Sequence, residues 1–438
     1  MIMITKLNLS RSYKRITSLV LISILTLCYL QAYDLEIDGI YYNANINDME
    51  LTVTKGDNTY TGIINIPETT EYKGKIFTVV EIGSGAFASS NVEKVLLPST
   101  IIDISSGAFD GCLNLQEVRL PEGLKTIGSY AFSGCRKLKE ISIPSSVWKI
   151  GSNPFTNSGL RKAVIQDGEN DISLNNVFEY TNLEYIYIGR DIAYNGEYRP
   201  FYKTFLAQVN IGPLVKKLPD SCFSDLKIWK ITIPSNVIEI GRNCFNSTFL
   251  KELYLSDGEE PLKWGSSNMP NLNKLYYGRN VKSSYEVFSE CKKIESVHVG
   301  EYISDFSSVL FNCDISTIYS LNPNPTAFLH SPFNSKTYLN AIVYVPKGSK
   351  EKYETTDGWK NFWEIKEKDF SSEGNLLYDS APSFKVIKGG IECTNGGLFE
   401  IYTINGILID RLYLEAGAIK KLQSQIYIIS TNGKNKKS

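Results

Sequence analysis

Hydrophobic residues along most of the chain recur with a spacing of 22 or 23 residues. Each unit carries a phenylalanine that usually follows a small residue, at Phe87, Phe109, Phe132, Phe155, Phe178, Phe201, Phe223, Phe245, Phe288, Phe311 and Phe333. The one longer interval, 43 residues between Phe245 and Phe288, is predicted to contain a degenerate unit near Met269, which gives about twelve units. Because a unit of this size cannot bury its own apolar side, we predict that successive units stack as the coils of a solenoid.

Between the phenylalanines runs a shorter pattern in which apolar residues alternate with polar ones, as at Leu138, Ile141 and Ile143. This alternation is typical of a β-strand with one buried side. A third segment, such as Leu124-x-x-Ile127, follows a proline that cannot continue a strand ladder. The sequence therefore predicts one short strand per coil in a continuous parallel sheet, with the phenylalanine, leucine and isoleucine side chains inside.

The two ends of the chain follow other patterns. Residues 1–32 contain basic residues, an apolar run over Ile16–Leu30 and the small residue Ala32, which together predict a cleaved signal peptide. A lipid anchor and an uncleaved anchor are the alternatives. Residues 375–438 contain short alternating segments and the pair Asn405-Gly406, which is typical of a hairpin turn. For this tail we predict a small β-sandwich.

Composition and motifs limit the classes of function. The 46 Lys and Arg residues nearly balance the 47 Asp and Glu residues, so no overall field favours a nucleic acid or a membrane surface. The sequence contains no G-x-S-x-G, G-x-x-x-x-G-K-[ST], H-E-x-x-H or C-x-x-C motif. We interpret the two histidines, His298 and His330, as ordinary packed or surface side chains. We therefore expect no catalytic residue, no metal and no cofactor.

Two acidic turns deserve a separate test. Asp167–Glu169 and Asp257–Glu260 replace the proline turn that follows most predicted strands. Their carboxylates could contact a calcium ion, but the alternating ligand spacing of a known calcium loop is missing. We interpret both segments as acidic surface turns.

Six of the eight cysteines form pairs on adjacent coils, namely Cys112 with Cys135, Cys222 with Cys244, and Cys291 with Cys313. In stacked coils the paired Cα atoms would lie about 5 Å apart, inside the disulfide range, and export would permit oxidation. Parallel side chains make such a bond awkward, however, and Cys222 and Cys244 occupy a small position where other units carry alanine. We expect free thiols in the core, with disulfides as the alternative.

The segment "IGSYAFSGCRKLKEISIPSSVWKIG" resembles the leucine-rich repeat of the BspA type, which is found in bacterial surface proteins. The resemblance covers about residues 81–346. It implies a β-rich N-terminal cap over residues 33–80 and a leucine-rich repeat solenoid over residues 81–370. The solenoid would end in a last strand and a short capping helix, with Tyr353 and Trp359 packed on the last coil.

Within the tail, "EIYTINGILIDR" resembles the C-terminal sorting module of the type IX secretion pathway of Bacteroidetes. This resemblance implies attachment to the outer membrane through that pathway. Such modules usually end with an apolar strand, whereas this chain ends with the polar "TNGKNKKS". The two resemblances together imply a secreted or cell-surface adhesion role, and they imply no enzymatic activity.

In each predicted strand, one residue between the last two inward positions points away from the core. In the C-terminal half this column becomes largely aromatic, at Tyr187, Tyr254, Tyr276, His298, Tyr319 and Tyr344. The residues from Tyr254 to Tyr319 should stand side by side on four strands and expose an aromatic stripe. Exposed tyrosines are favoured binding anchors, although stacked rings also stabilise a sheet without any ligand. A second outward column, which includes Lys94 and Glu117, is a mixed charged face.

We therefore predict a non-enzymatic exported protein, secreted or at the cell surface, that binds a host or matrix protein through the sheet face of the solenoid. The six aromatic residues are the predicted binding site. The chain is expected to be a monomer and to bind no nucleic acid. A glycan-binding module, in which the tyrosines stack on sugar rings, is the alternative, and an enzyme that uses acidic side chains is a third hypothesis.

Overall fold

The computed structural model describes residues 33–370 apart from residues 194–198, 247–248, 284–286, 289–290, 305, 307–309, 311–312 and 329–331. Beyond residue 370 it describes the backbone of seven strands between residues 383 and 437. The predicted signal peptide, residues 1–32, lies outside the described residues. None of the helices in the described ranges has the length and apolar character needed to cross a membrane.

The segment before the first coil is built from short strands. These are β1 (Leu35–Ile37), β2 (Ile40–Asn45), β3 (Glu50–Thr54), β4 (Thr61–Asn65), β5 (Thr69–Tyr72) and β6 (Lys75–Ile82). The first three pair antiparallel, and β3 then pairs in parallel with β6. The ring of Tyr60 is buried, and its centroid lies 4.6 Å from that of Phe87 in the first coil. This β-rich segment therefore closes the N-terminal end of the core.

One face of the solenoid, which we call the front face, carries the longer strands. They are β7 (Asn91–Leu96), β9 (Glu117–Val118), β11 (Glu140–Ile143), β13 (Lys162–Ile165), β15 (Tyr185–Ile188), β17 (Gln208–Ile211), β19 (Lys230–Ile233), β21 (Glu252–Leu255), β23 (Lys274–Tyr277), β25 (Ser296–Val299), β26 (Thr317–Ser320), β27 (Ile342–Pro346) and β28 (Glu364–Lys368). Paired neighbours run parallel, as the alternating pattern predicts. Their inward residues form the core.

The segment after each turn forms a second row of strands, on what we call the back face. These strands are β8 (Asp103–Ile104), β10 (Thr126–Ile127), β12 (Lys149–Ile150), β14 (Ile172–Ser173), β16 (Ile192–Ala193), β18 (Lys217–Leu218), β20 (Glu239–Ile240), β22 (Leu262–Trp264) and β24 (Val281–Lys282). The sequence predicts one strand per coil, so this second row is a correction. These strands are short, but backbone hydrogen bonds between neighbouring coils continue beyond their ends. For example, Gly128 N–H donates to Ile104 O at 2.7 Å.

The front face is divided into three sheets, so the prediction of a continuous sheet is wrong in this respect. One sheet contains β4, β7 and β9, the next contains β11 to β17 on this face, and the last contains β19 to β28. In the last sheet, Lys251 N–H donates to Trp229 O at 2.8 Å, directly before the paired strands. At the break before β19, Lys227 N–H donates to Leu206 O instead, at 3.1 Å. At this break the hydrogen bond between neighbouring coils lies two to three residues before the strands. The strand pairing therefore ends, although the coils stay stacked.

The anchor phenylalanines form a stack of rings through the core. From Phe87 to Phe245, neighbouring ring centroids lie 5.0–6.1 Å apart and the interplanar angle never exceeds 23°. In the long interval, the ring of Trp264 stands edge-on between Phe245 and Phe288, at 5.8 and 5.7 Å. The degenerate unit thus keeps an aromatic ring in the stack, and the predicted solenoid of about twelve coils is confirmed.

Short helices flank the last strands. They are α1 (Ser335–Asn340), α2 (Lys350–Thr355) and a 3-10 helix (Trp359–Asn361). Asn334 caps α1, because its side-chain oxygen accepts a hydrogen bond of 2.8 Å from Thr337 N–H. Tyr353, Trp359 and Phe362 are buried, and the rings of Tyr353 and Trp359 meet edge to face at 4.9 Å. These rings extend the hydrophobic core to its C-terminal end.

The tail contains seven further strands. They are β29 (Ser383–Ile387), β30 (Gly390–Asn395), β31 (Gly397–Thr403), β32 (Leu408–Leu414), β33 (Ile419–Lys421), β34 (Tyr427–Thr431) and β35 (Lys434–Lys437). They pair antiparallel in a three-stranded and a four-stranded sheet. β31 and β32 flank the predicted hairpin turn Asn405-Gly406, which itself lies outside the described residues. The β-sandwich and the sorting module remain predictions.

Candidate functional site

The predicted aromatic column has the register that the repeat spacing requires. Tyr254, Tyr276, His298, Tyr319 and Tyr344 are partners across five consecutive parallel strands, from β21 to β27. The sixth residue, Tyr187, occupies the same column in the sheet of β11 to β17, opposite Val164 and Asn210. We call the five consecutive residues the aromatic ladder.

The rings of the ladder contact one another along its whole length. Successive centroids from Tyr254 to Tyr344 lie 6.4, 6.4, 4.4 and 5.3 Å apart. Three of these four contacts are stacked, and the one between Tyr276 and His298 is tilted by 39°. Offset stacking of this kind stabilises neighbouring strands in addition to the area that it buries.

Most of the ladder is not exposed, so the prediction of an exposed aromatic stripe is wrong. Tyr276 is 1% exposed, Tyr254 and Tyr187 are also buried, and His298 is 9% exposed. Only Tyr319 and Tyr344, at the C-terminal end, are half-buried. The physical reason lies partly in the strand spacing, because rings of this size on adjacent strands cover each other's faces.

Lysine side chains add to this covering. The Nζ atom of Lys230 lies 4.9 Å from the ring centroid of Tyr254. At the other end, Lys368 Nζ lies 4.8 Å from the ring centroid of Tyr319 and 5.3 Å from that of Tyr344. A lysine in this position combines a cation–π contact with apolar contact from its stem. Lys368 therefore bridges the two most accessible rings.

The acidic turns hold the tyrosine hydroxyls. Tyr276 donates to Asp257, whose carboxylate oxygens lie at 2.8 and 2.9 Å, and Tyr187 donates to Asp167 at 2.7 Å. Each aspartate thus fixes the outer end of a ring on the following strand. Within the part of the chain that the structure describes, no group of three or more His, Cys, Asp or Glu residues could hold a metal ion. Asp167 and Asp257 thus connect their turns to the neighbouring strand through a tyrosine hydroxyl.

Two buried arginines lie beside these turns, and the sequence analysis missed them. Arg190 donates to the carbonyls of Ser145 at 2.9 Å and Pro144 at 3.0 Å, two coils earlier. Arg279 makes the same pair of hydrogen bonds to Ser235 and Pro234, at the same two distances. We call each arginine with its two carbonyls an arginine clamp. The signal in the sequence is the pair Gly-Arg after a strand, one coil beyond Asp-Gly-Glu.

Each clamp passes a glycine in the intervening turn, and the approach is tight only at Gly168. A Cβ atom on Gly168 would lie 3.1 Å from Cδ of Arg190, and one on Gly258 would lie 3.5 Å from Cδ of Arg279. Burial disfavours the charged guanidinium and lowers the pKa of both arginines, that of Arg279 to about 10. Bonds to carbonyls rather than a salt bridge hold these cations, so the clamps fix the turns geometrically.

A pocket of about 1000 Å³ opens at the carboxyl ends of the last front strands. Its wall contains the carboxylates of Asp257, Glu259, Glu260, Glu301 and Asp369, the amines of Lys347 and Lys368, and the rings of Tyr302 and Phe370. The pocket adjoins the accessible end of the ladder, since Lys368 lines it and also covers Tyr319 and Tyr344. Carboxylates dominate the pocket, so its chemistry suits a basic ligand.

The cysteines in the described coils are free and buried, which confirms the expectation of core thiols for these six. Cys112 Sγ donates to the carbonyl of Phe87 at 3.0 Å, and Cys135 Sγ donates to that of Phe109 at 3.2 Å. Burial raises the pKa of Cys222 and raises that of Cys313 to about 12. The thiols of Cys222 and Cys313 are therefore protonated groups that pack in the core.

Comparison with known proteins agrees with this architecture. A family model described as BspA type leucine rich repeat region matches residues 80–199, 174–286, 197–318 and 267–353. Among curated proteins, none matches the chain.

Several solved leucine-rich repeat structures are similar to the chain. The protein from Bacteroides ovatus ATCC 8483 is 20% identical over 77% of this chain and all of its own, with a TM-score of 0.37. The pneumococcal vaccine antigen PcpA is 19% identical over 76% of this chain and 98% of its own, with a TM-score of 0.36. A protein from Bacteroides capillosus ATCC 29799 is 32% identical over 30% of this chain and 95% of its own, with a TM-score of 0.27. Because the family model spans more than half of the sequence, the chain belongs to the BspA-type leucine-rich repeat family.

Proposed function

We propose that this protein is a non-enzymatic binding protein that attaches to an extracellular host or matrix protein through the front face of its solenoid. The observation that carries the proposal is the junction between the aromatic ladder and the acidic pocket. Tyr319 and Tyr344 are the accessible rings of the ladder, and Lys368 connects them to the pocket wall. A rigid surface that joins aromatic rings to carboxylates is typical of a protein-binding site.

The six predicted residues take different parts in this proposal. Tyr319 and Tyr344 contact the ligand, and the carboxylates beside them bind its basic side chains. His298 stacks on Tyr319, and Tyr276 and Tyr254 continue the row of ring contacts on the next strands of the sheet. Tyr187 belongs to a separate sheet and fixes an acidic turn in the same way as Tyr276.

The proposed location is outside the cytoplasm, secreted or at the cell surface. Residues 1–32 have the charge and hydrophobic pattern of a signal peptide, and the family resemblance implies surface proteins. The tail would attach the protein to the outer membrane if it acts as a sorting module. The protein is proposed to act as a monomer and to need no cofactor.

A binding screen tests this function. The purified chain would be screened by surface plasmon resonance against immobilised matrix proteins and a glycan array. For a protein ligand, Tyr319→Ala combined with Tyr344→Ala should weaken binding by about tenfold or more, because half-buried tyrosines beside a pocket are typical hot spots. The far-UV circular dichroism spectrum should not change, since both side chains lie at the surface of the sheet.

The matched control changes the other outward column. Lys94 and Glu117 form a salt bridge of 2.9 Å near the start of the front face, so Lys94→Ala with Glu117→Ala should leave binding unchanged. Normal binding by the tyrosine variant would show that the protein-binding site lies away from the ladder. Selective binding to a glycan, lost in the same variant, would favour the glycan-binding alternative.

A further inference from the structure

The amino ends of the front strands form a second edge, on the side of the front face opposite the acidic pocket. Backbone hydrogen bonds fix its residues in order: Lys251 N–H donates to Trp229 O, and Asn273 N–H donates to Lys251 O, at 2.8 and 2.9 Å. Glu295 N–H continues the line to Asn273 O at 2.9 Å. We call this line the amino edge, and we include in it the residues two positions earlier in each coil, Lys292 beside Lys293, and Phe205 of the coil before Trp229.

The N-terminal part of the amino edge exposes large rings. Trp229 is 52% exposed and Phe205 is 48% exposed. The core of the coil does not require an apolar residue at either of these exposed positions. Lys227 lies between them in the coil order, and its Nζ atom is 4.6 Å from the ring centroid of Phe205. The result is a row of aromatic faces with a cation beside it.

The C-terminal part of the amino edge is a polar depression of about 520 Å³. Its wall contains Lys251, Asn271, Asn273, Lys292, Lys293, Ile294, Glu295 and Asp314. Asp314 is engaged by Lys336 and Asn334, and these hydrogen bonds lower its pKa. Lys293 Nζ donates to the amide oxygen of Asn271 at 2.5 Å, a neutral partner that leaves the lysine charge uncompensated. The three lysines of this wall therefore outnumber the carboxylate of Glu295. The depression suits an anion, in contrast to the acidic pocket.

We propose that the amino edge binds a polysaccharide composed of uronic acid units. The apolar face of a sugar ring packs on an exposed aromatic side chain, the asparagine amides can bond hydroxyl groups, and the lysines pair with carboxylates. Coils repeat every ~4.8 Å, which is close to the length of one sugar unit, so successive sugars can meet successive coils.

The distribution of charge favours a uronic acid chain over a more highly charged polymer. The edge offers Lys227 and Lys251 on successive coils, then the amide-bearing coil of Asn271, and then Lys292 and Lys293. This is about one cation per coil, which matches one carboxylate per sugar. Exposed rings beside sparse cations also fit a sugar better than an acidic peptide, since a peptide has no repeating apolar face.

This site is independent of the proposed protein-binding site. The acidic pocket lies at the carboxyl ends of the strands, and none of its lining residues belongs to the amino edge. The two proposals can therefore fail separately. Loss of protein binding in the Tyr319 and Tyr344 variant should not alter polysaccharide binding.

Calorimetry with a hexamer of galacturonic acid tests the proposal on the full chain. Trp229→Ala should weaken binding about tenfold. Lys292→Ala with Lys293→Ala should also weaken binding, and the loss should be larger at low salt than at high salt. The control is Trp148→Ala, because Trp148 is another exposed tryptophan, 62% exposed, that lies outside the amino edge. This control should bind as the unchanged protein does, and all variants should keep the same melting temperature.

Two further probes decide whether sugar rings and carboxylates are both required. The fully methyl-esterified hexamer has the same rings without the charge, and poly-glutamate has the charge without the rings. Both should bind at least tenfold more weakly than the hexamer. Equal binding of either probe, equal binding of a DNA oligonucleotide, or unchanged affinity in Trp229→Ala would overturn the proposal.

Discussion

Each anchor phenylalanine of the early coils is held between the same residue of the coils before and after it. Phe132 is fully buried, and its ring centroid lies 5.0 Å from that of Phe109 and 5.5 Å from that of Phe155. Since every ring supports two neighbours, the stack distributes stability along the core rather than concentrating it in one cluster.

Phe132→Ala should lower the free energy of unfolding by about 3–5 kcal/mol, because it removes two ring contacts and leaves a cavity between coils. Urea denaturation followed by tryptophan fluorescence measures the loss, and hydrogen exchange should show it first in the coils of Phe109 and Phe155. Tyr130→Ala is the control: its side chain is in the same turn but 48% exposed, so the expected change is below about 0.5 kcal/mol. A fully stable Phe132→Ala protein would contradict the ring stack.

The repeat spacing predicts the positions of the strands better than it predicts which of their side chains are exposed. The anchor phenylalanines and the register of Tyr254 with Tyr276 follow directly from the 22-residue step. The burial of the ladder does not, because the exposure of a ring depends on side chains from other coils, such as Lys230. The clamp of Arg279 was missed for the same reason: its partners are carbonyls two coils away, and a carbonyl has no signature in a sequence.

For the ladder as an element, Tyr254→Ala with Tyr276→Ala should reduce stability more than binding. Both rings are buried, and the change also removes the hydrogen bond that the Asp257 carboxylate accepts from the Tyr276 hydroxyl. We expect the free energy of unfolding to fall by at least about 3 kcal/mol. Chemical denaturation measures this loss, with Tyr276→Phe as a milder control of about 1 kcal/mol. Unchanged stability would contradict the supporting role of these two rings.

At the scale of the whole molecule, the front face separates opposite charges onto its two edges. Carboxylates collect in the pocket at the carboxyl ends of the strands, and lysines collect along the amino edge. The net charge of −1 conceals this separation, since the composition averages over both edges. Only the alignment of turns from different coils brings like charges together. For this reason, neither edge was predicted from the sequence, although the solenoid was.

The duplicated arginine clamp has a consequence for the length of the protein. Pro144 and Pro234 are 90 residues apart, Asp167 and Asp257 are 90 apart, and the two arginines are 89 apart. This spacing predicts that four coils form one interchangeable block, which insertion or deletion in the gene could add or remove whole. A chain without residues 168–257 would join Asp167 to Gly258 and place Arg279 two coils after Pro144.

Such a shortened chain should fold, with Arg279 bonded to the carbonyls of Pro144 and Ser145 and with Trp264 packed on Phe155. Circular dichroism and thermal melting check this expectation, and a chain without residues 168–245, which breaks the coil phase, is the control that should aggregate. Equal behaviour of the two deletions would refute block-wise interchange. The shortened protein would also lack Phe205 and Trp229, so a lineage that changes its length in this way would lose the aromatic part of the amino edge. It would keep most of the acidic pocket, with Asp167 in the place of Asp257. Gain or loss of whole blocks would then change the amino edge during evolution while the surface around the acidic pocket is retained.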